Sequence, residues 1–109
     1  MLEPILKSAS AEKALMFILA RGEGYARGIA RFFDSDPDSI QKTLVNLEAG
    51  GVLTTKQAGR TLLYQFNPRY PFRPELEALL TKALSYYPEA QREQLTTNRR
   101  RPRRRGKPL

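Results

Sequence analysis

Hydrophobic positions recur at helical spacing through the first third of the chain. Ser10 can cap a helix over residues 11–21, which is apolar around most of its circumference and is therefore expected to be central and buried. Gly22 and Gly24 end that helix. A second, short helix is predicted over residues 25–33, where apolar residues share one face at i, i+3, i+4 and i+7. Those residues are Ala26, Ile29, Ala30 and Phe33.

A third helix, residues 37–49, is predicted between two clear boundary signals. Asp36 is a good N-cap, Pro37 suits the first helical position, and Gly50 with Gly51 stops the helix. At about 100° per residue, one side is apolar and the opposite side carries mostly short polar side chains. The apolar side comprises Ile40, Leu44 and Leu47. The outer side comprises Asp38, Ser39, Lys42, Val45, Asn46 and Ala49, with Gln41 on one flank.

The pattern changes to alternation over residues 52–66. Two β-prone runs flank residues 57–60, where Gly59 is free to adopt a positive φ, and this predicts a β-hairpin. Leu62, Tyr64 and Phe66 are expected to alternate toward the interior.

A final helix is predicted to begin at Pro74, with Glu75 and Glu77 favourably placed near its N-terminus. Pro88 either ends this helix or is followed by a ragged extension to Leu95. An apolar stripe at helical spacing runs along it. The stripe comprises Leu76, Leu79, Leu80, Ala83, Leu84 and Tyr87.

Positive charge is concentrated near the C-terminal end. The chain has 19 basic and 11 acidic residues, and residues 99–107 hold seven of the basic residues and no acid. Without those seven, 12 basic residues face the 11 acids, so the remainder carries a net charge of only +1. We expect one domain over residues 1–95 and a disordered Arg-rich tail over residues 96–109. Three interpretations of the tail stay open. It could contact DNA or RNA phosphates, bind an acidic protein, or simply be a solvated end of the chain.

Some residue types are missing altogether. The chain has no Cys and no His, which removes disulfides, thiolate nucleophiles, imidazole bases and the usual zinc ligands. It also lacks a glycine-rich phosphate loop and paired-carboxylate spacing, so we expect no enzyme activity, no cofactor and no metal. The longest apolar run, residues 14–20, is too short to span a bilayer. We therefore expect a cytoplasmic protein without a membrane partner.

The order helix, helix, turn, helix, hairpin, helix is that of a winged helix-turn-helix domain, so the predicted fold class is mostly α with a small β-hairpin (α+β). Residues 25–53 resemble the helix-turn-helix core of ArsR- and MarR-type bacterial regulators. The resemblance is carried by Ile29, Ala30, Phe33, Asp36, Pro37, Ile40, Leu44, and the segment Leu47 to Leu53. GRTLLYQFNPRYPF, residues 59–72, is similar to the return strand and exit of the wing in ArsR-like proteins.

Two departures from that family are visible. The turn often has Gly followed by a bulky apolar residue, whereas this chain has Asp34 and Ser35. Aspartate tolerates the left-handed region better than most residues, so the turn is compatible with it. The family's metal sensors bind metal through Cys and His, so metal sensing does not carry over to this chain.

The resemblance implies a transcriptional regulator that binds double-stranded DNA, with helix 37–49 in the major groove and hairpin 52–66 as the wing. Helix residues can read base edges, whereas wing and second-helix cations contact the backbone or minor groove. The candidate DNA-binding residues are Arg27, Asp38, Ser39, Gln41, Lys42, Asn46, Lys56 and Arg60. Val45 could contact a thymine methyl group or simply fill a partly exposed position.

Charged residues near the predicted interface also have structural alternatives. Arg27 and Arg31 could clamp the DNA backbone or pair with Glu23, Asp34 and Asp36. Asp34 suits the turn and Asp36 suits the cap, which leaves Asp38 as an acid on the outer face. Asp38 would repel phosphate unless it accepts from cytosine N4 or pairs with Lys42, four residues on.

Association with a second copy is expected from the apolar surface. The apolar stripe on the last helix could pack on the first helix. The stripe is wider than the small core of one chain can bury, however, and the apolar residues near the N-terminus also have to be buried. The resemblance likewise implies a homodimer. We expect this dimer to act as a repressor that occludes a promoter. The candidate interface residues are Leu2, Ile5, Leu6, Leu76, Leu79, Leu80, Leu84 and Tyr87.

A second class of function stays open. The near-neutral charge of the predicted domain also fits a winged-helix protein-interaction module. Such a module would be an antitoxin-like partner of a separately encoded enzyme, for instance a nucleotidyltransferase.

Overall fold

The computed structural model describes residues 1–97, which form six helices and one antiparallel two-stranded hairpin. This architecture confirms the predicted α+β class. In chain order the elements are α1 (Glu3–Leu6), α2 (Ala9–Arg21), α3 (Ala26–Phe33), α4 (Pro37–Ala49), β1 (Leu53–Ala58), β2 (Thr61–Phe66), α5 (Arg73–Leu84) and α6 (Glu89–Thr97). Within residues 1–97, no helix combines the length and apolar character needed to cross a membrane.

Helix α2 is the centre of the fold, as its apolar circumference predicted. Ala14 and Met16, on different sides of the helix, are both 0% exposed. The predicted start of this helix is wrong by two residues. Ser8 is the cap, because its extended backbone lets its Oγ accept from the backbone N of Ala11 at 3.1 Å, and Ser10 lies inside the helix.

A tight turn joins α3 to α4, and its chemistry matches the sequence prediction. Asp34 adopts the left-handed conformation at φ 53° and ψ 50°. Asp36 is the N-cap of α4, where its carboxylate accepts from the backbone N of Ser39 at 3.3 Å. Ile40 and Leu44 are 0% exposed and pack this helix on the core. The outer face of α4 is thereby directed away from α2.

The hairpin pairs Leu53 with Phe66 at its base and turns at Gly59, which has φ 62°. Tyr64 is buried, but Leu62 is 41% exposed, so the predicted inward alternation is wrong at Leu62. Leu62 pairs with Gln57 next to the turn, where the hairpin has extended beyond the core.

An unpredicted bridge ties the hairpin to the loop between α2 and α3. Gly24 and Tyr64 exchange two backbone hydrogen bonds, of 2.8 and 3.0 Å. A Cβ at Gly24 would lie only 2.8 Å from the Phe17 ring, so glycine permits this close approach. The bridge holds the base of the wing beside the start of α3.

The C-terminal region contains two helices rather than one helix with a ragged end. Helix α5 ends at Leu84, and α6 begins directly after Pro88. Leu95 of α6 is 0% exposed and belongs to the core. The predicted domain boundary at residue 95 therefore falls inside α6, and residues 98–109 of the predicted tail lie outside the described residues.

A buried carboxylate joins the N-terminal segment, α2 and the link between α5 and α6. Glu12 is only 7% exposed and accepts from the backbone N of Leu2 at 2.8 Å, the Met1 ammonium at 3.2 Å and the Tyr87 hydroxyl at 2.5 Å. Burial by itself would raise the pKa of the Glu12 carboxyl, but these donors together lower it. Burial and the neighbouring carboxylate raise the pKa of Tyr87. Paired in this way, Glu12 is a structural residue.

Candidate nucleic-acid interface

The outer face of α4 presents four of the residues singled out from the sequence. Asp38, Lys42, Val45 and Asn46 are all exposed, and Val45 retains 47% of its surface. Within residues 1–97, neither Asp38 nor Lys42 forms an ion pair, so the suggested pairing of these two is absent. The face therefore offers a free cation, a free anion, an amide and an apolar side chain to a ligand.

Two other residues of α4 that were predicted to contact DNA bases have hydrogen-bond partners inside the protein. The Ser39 hydroxyl donates to the Asp36 carboxylate at 2.9 Å and so belongs to the helix cap. The Gln41 Nε2 donates to the Tyr64 hydroxyl at 3.4 Å and links α4 to the hairpin. The Ser39 hydroxyl is left only as an acceptor, whereas the Gln41 amide keeps its second N–H and its Oε1 for a base.

The hairpin carries two candidate cations in different settings. Lys56 lies 3.1 Å from the Glu23 carboxylate, with side chains 52% and 42% exposed, so this is a surface ion pair of small energetic value. Arg60 is exposed beside the turn and makes no ion pair within residues 1–97. Gln57 organises the turn by donating to the Gly59 carbonyl at 3.1 Å. Arg60 is consequently the freer of the two cations.

Helix α3 adds two exposed arginines, Arg27 and Arg31, one helical turn apart. Their proposed partners were Glu23, Asp34 and Asp36. Over the part of the chain that the structure describes, neither arginine forms an ion pair with any of them, and Glu23 pairs with Lys56 instead. Both guanidinium groups remain open to an external anion.

Several contacts that shape this surface were missed in the sequence. The Lys13 ammonium donates to the Ser35 hydroxyl at 2.7 Å, which fastens the turn between α3 and α4 to α2. Lys13 and Ser35 are 22 residues apart, and Gln41 and Tyr64 are 23 residues apart. No local periodicity or cap signal indicates pairs this distant, so only the three-dimensional arrangement reveals them.

The candidate dimer residues are placed very differently from one another. Leu2 and Leu80 are 6% and 0% exposed in the single chain, so they have almost no surface left to give to a partner. Ile5 and Leu79 are 65% and 37% exposed. Tyr87 is half-buried, and its hydroxyl donates a hydrogen bond to the Glu12 carboxylate. The remaining candidates are partly buried and pack against the core: Leu6, Leu76 and Leu84.

Other exposed apolar groups lie near α5 and were not among the candidates. Phe72 is 62% exposed just before α5, and Tyr86 is 68% exposed just after it. Among residues 1–97, no group of three or more acidic side chains is placed to hold a metal ion.

Comparison with known proteins identifies the fold. No protein-family model and no curated protein sequence matches the chain. Solved structures of Lactococcus lactis ZitR do match. A doubly substituted ZitR variant in apo form has a TM-score of 0.54 and 18% identity, covering 89% of this chain and 82% of ZitR. A second structure of that variant has a TM-score of 0.51 and 16% identity, covering 84% and 70% of the two chains.

A structure of a singly substituted ZitR has a TM-score of 0.50 and 15% identity, covering 85% of this chain and 71% of ZitR. At identities this low, the likeness concerns the fold and not the individual site residues. The element order, the hairpin after α4 and this likeness together show that the chain has a winged helix-turn-helix fold.

Proposed function

We propose that the chain is a sequence-specific DNA-binding transcriptional regulator that places α4 in the major groove and the hairpin against the flanking backbone. The observation that carries this proposal is the outer face of α4. Its side chains are exposed, Lys42 has no ion-pair partner within residues 1–97, and the opposite face is anchored by Ile40 and Leu44. A helix fixed on one side and unpaired on the other is suited to reading base edges.

Under this proposal, each side chain of this face would make its own contact with the DNA. Lys42 would donate to guanine or to a phosphate, and Asn46 would pair with adenine through its amide. Val45 would pack on a thymine methyl group. Asp38 would accept from cytosine N4 and would disfavour other bases at that position.

Contacts with the DNA backbone would come from the arginines around α4. Arg27 and Arg31 of α3 and Arg60 of the hairpin are exposed cations without ion pairs in residues 1–97. Each would neutralise a phosphate and release a counterion. Lys56 contributes less in this scheme, because Glu23 already offsets its charge.

We further propose that the protein acts as a homodimeric cytoplasmic repressor. Two copies would bind two half-sites one helical turn apart and occlude the promoter. The exposed apolar side chains Ile5 and Leu79, from the predicted set, would contribute to the contact between copies. The fully buried Leu80 would support that surface from inside.

The test measures binding to the DNA upstream of the protein's own coding region by fluorescence anisotropy, alongside a random duplex. Lys42→Ala is expected to weaken binding and relax sequence preference, by about 1–3 kcal/mol if Lys42 reads a base. Arg60→Ala is expected to weaken binding to both duplexes similarly and to reduce the salt slope by about 1. Lys82→Ala, which removes an exposed lysine from α5, is the matched control.

If the Lys42→Ala and Arg60→Ala variants bind both duplexes as the parent does, α4 and the hairpin are not the DNA-reading surface.

The near-neutral charge outside residues 99–107 favours one second function, a protein-interaction module that partners a separately encoded enzyme such as a nucleotidyltransferase. That function predicts co-purification with the product of a neighbouring gene and no preference among DNA sequences.

A further inference from the structure

The side chain of Tyr64 is fixed at the point where the hairpin meets the helices. Its ring is buried, with only 2% of the residue exposed. Its backbone N donates to the Gly24 carbonyl at 2.8 Å, and its carbonyl accepts from the Gly24 backbone N at 3.0 Å. A close-packed ring on a backbone held in this way has little freedom to move. The phenolic hydroxyl of Tyr64 is therefore held at one place beside α4.

Helix α4 is fixed relative to the same core. Ile40 and Leu44, which lie on either side of Gln41 in the sequence, are both 0% exposed. Gln41 is the fifth residue of α4, in the N-terminal half from which a recognition helix contacts base edges. Its backbone position is thus set by its buried neighbours, whereas its exposed side chain needs a partner to be held in one orientation.

One hydrogen bond supplies that partner. The Gln41 Nε2 donates to the Tyr64 hydroxyl at 3.4 Å. A glutamine amide has a second N–H donor and an oxygen that accepts. Within residues 1–97, neither of these two groups of Gln41 has a hydrogen-bond partner. The amide is therefore held by one N–H and presents the other N–H and Oε1 to a ligand.

The two groups that remain free match the major-groove edge of one base. Adenine presents the N6 amino donor next to the N7 acceptor, so a glutamine oxygen can accept from N6 while an N–H donates to N7. Guanine presents two acceptors, cytosine presents a donor, and thymine presents an acceptor beside a methyl group. Only adenine therefore uses the free oxygen and the free N–H of the Gln41 amide together.

We propose that Tyr64 is a positioning residue that orients the amide of Gln41 for a bidentate contact with an adenine in the major groove. This inference rests on the proposed function, and it adds Gln41 to the side chains through which α4 contacts bases. Because its ring is buried, Tyr64 acts through Gln41 and not by touching DNA itself.

The advantage of this arrangement is that the Gln41 side chain is partly ordered before DNA binds. Immobilising a flexible side chain at an interface opposes binding, and a hydrogen bond present beforehand reduces that cost. Since the bond is long at 3.4 Å, losing the Tyr64 hydroxyl should reduce the preference for adenine only about threefold. Losing the Gln41 amide should reduce it about tenfold or more, because the whole bidentate contact disappears.

The experiment uses the full-length protein and a library of random duplexes, from which the parent enriches its preferred sequence. Fluorescence anisotropy then gives the Kd for that duplex and for its single-base-pair variants at every position. The proteins compared are the parent, Tyr64→Phe, which keeps the ring and removes the hydroxyl, Gln41→Ala and the double variant. Both single substitutions are expected to flatten the preference at the same position, where the parent selects adenine, and to leave the other positions unchanged.

The decisive comparison is between two double-mutant cycles. In the Gln41→Ala background, Tyr64→Phe should have no further effect on base preference, because the amide that Tyr64 positions is already gone. In the Asn46→Ala background, Tyr64→Phe should still cause its full loss of about threefold at the adenine position. Asn46→Ala is the matched control, since Asn46 is another exposed amide of α4 but has no hydrogen bond to Tyr64 within residues 1–97.

A carboxylate in place of the Gln41 amide tests which base is contacted. Gln41→Glu keeps the length of the side chain but removes both N–H donors. Because a carboxylate accepts from cytosine N4, this variant should select cytosine where the parent selects adenine. The Tyr64 hydroxyl can donate to the introduced carboxylate, so Tyr64→Phe should weaken the new preference as well.

Nuclear magnetic resonance of the Gln41 side-chain amide tests the positioning without DNA. The order parameter of this NH₂ group should fall in Tyr64→Phe, because the amide has lost its acceptor. It should stay at the parent value in Tyr70→Phe, the matched control, because the Tyr70 ring contacts Phe72 and not Gln41.

Four outcomes would overturn the inference. They are an equal loss of affinity of Tyr64→Phe for every duplex, a full further loss in the Gln41→Ala background, a Gln41-dependent position at which the parent selects another base, and an unchanged order parameter in Tyr64→Phe. If Lys42→Ala relaxes sequence preference while Gln41→Ala does not, only this inference fails. If the parent enriches no duplex sequence, the proposed function fails as well.

Discussion

Glu12 and Asp38 are both acids in the first turn of a helix, yet their surroundings are opposite. Glu12 of α2 is buried and accepts hydrogen bonds from three donors on other segments. Asp38 of α4 is exposed and forms no hydrogen bond or ion pair through its side chain within residues 1–97. The helix macrodipole favours an acid at both places, so it does not explain the difference.

The contrast separates structural polar groups from groups available to a ligand. A buried charge must be paired, because its desolvation is otherwise too costly. An exposed charge needs no internal partner and can retain its capacity for an external one. The same contrast occurs between neighbours on α4, where Leu44 is 0% exposed and Val45 is 47% exposed.

The largest expected effect tests the two faces of α4. Leu44→Ala should lower the free energy of unfolding by about 2–5 kcal/mol, because it leaves a cavity in the core. Val45→Ala should lower it by less than about 1 kcal/mol, because Val45 is half exposed and makes fewer contacts. Urea unfolding monitored by circular dichroism measures both. Equal losses would mean that the outward face of α4 is packed in solution.

A second effect concerns the two acids and pH. The lowered pKa of Glu12 means that its stabilising contribution is present above its unfolded-state pKa, near 4.5, and is lost as pH falls through the folded-state value. Between pH 7 and pH 3, the parent should therefore lose more stability than Glu12→Gln does. Asp38→Asn is the matched control, because it removes an exposed carboxylate that has no hydrogen bond or ion pair within residues 1–97. If the stability of Glu12→Gln depended on pH as that of the parent does, the role assigned to this carboxylate would be contradicted.

A smaller effect is expected on DNA binding. Asp38→Ala should strengthen binding to random duplex about threefold by removing a repulsive charge, and it should loosen sequence preference. Anisotropy titrations against matched and mismatched duplexes report both quantities. Glu75→Ala, which removes an exposed acid from α5, provides a comparison for the general effect of net charge. Unchanged affinity and preference would place Asp38 outside the contact surface.

The smallest effect tests the link between α4 and the wing. Tyr64→Phe removes the acceptor for Gln41 and should lower the free energy of unfolding by about 0.5 kcal/mol at most, since that bond is long at 3.4 Å. Tyr70→Phe is the control, because the Tyr70 hydroxyl makes no hydrogen bond within residues 1–97. Thermal unfolding compares the two. Equal effects of the two substitutions would show that the link contributes nothing measurable.

Local chemistry explains which parts of the fold could be predicted. Asp36 and Pro37 start α4 through contacts within one turn, and Asp34 closes the preceding turn through its own backbone conformation. The start of α2 was misplaced because Ser8 and Ser10 are both good caps. Their order along the chain does not reveal which one adopts the extended conformation that capping requires.

The candidate site was predicted less completely for the same reason. Exposure of Lys42 and Asn46 follows from helical periodicity, and both are exposed. The engagement of Gln41 with Tyr64, and of Lys56 with Glu23, depends on how the hairpin folds back on the helices. Periodicity assigns a side chain to a face, but it does not say what lies opposite that face.

The sequence by itself determined the order of the elements from α2 to α5, the caps at the ends of α4 and the face of α4 that turns outward, because each depends on residues within a few positions of one another. Only the tertiary structure decided that Glu12 meets Tyr87, 75 residues away, and that Arg21 holds Leu95, 74 residues away. Such contacts form when helices distant in sequence pack together, and no local propensity encodes which donors they bring into reach. Which charged side chains become paired inside the protein, and which stay unpaired on its surface, is therefore decided only when the chain folds.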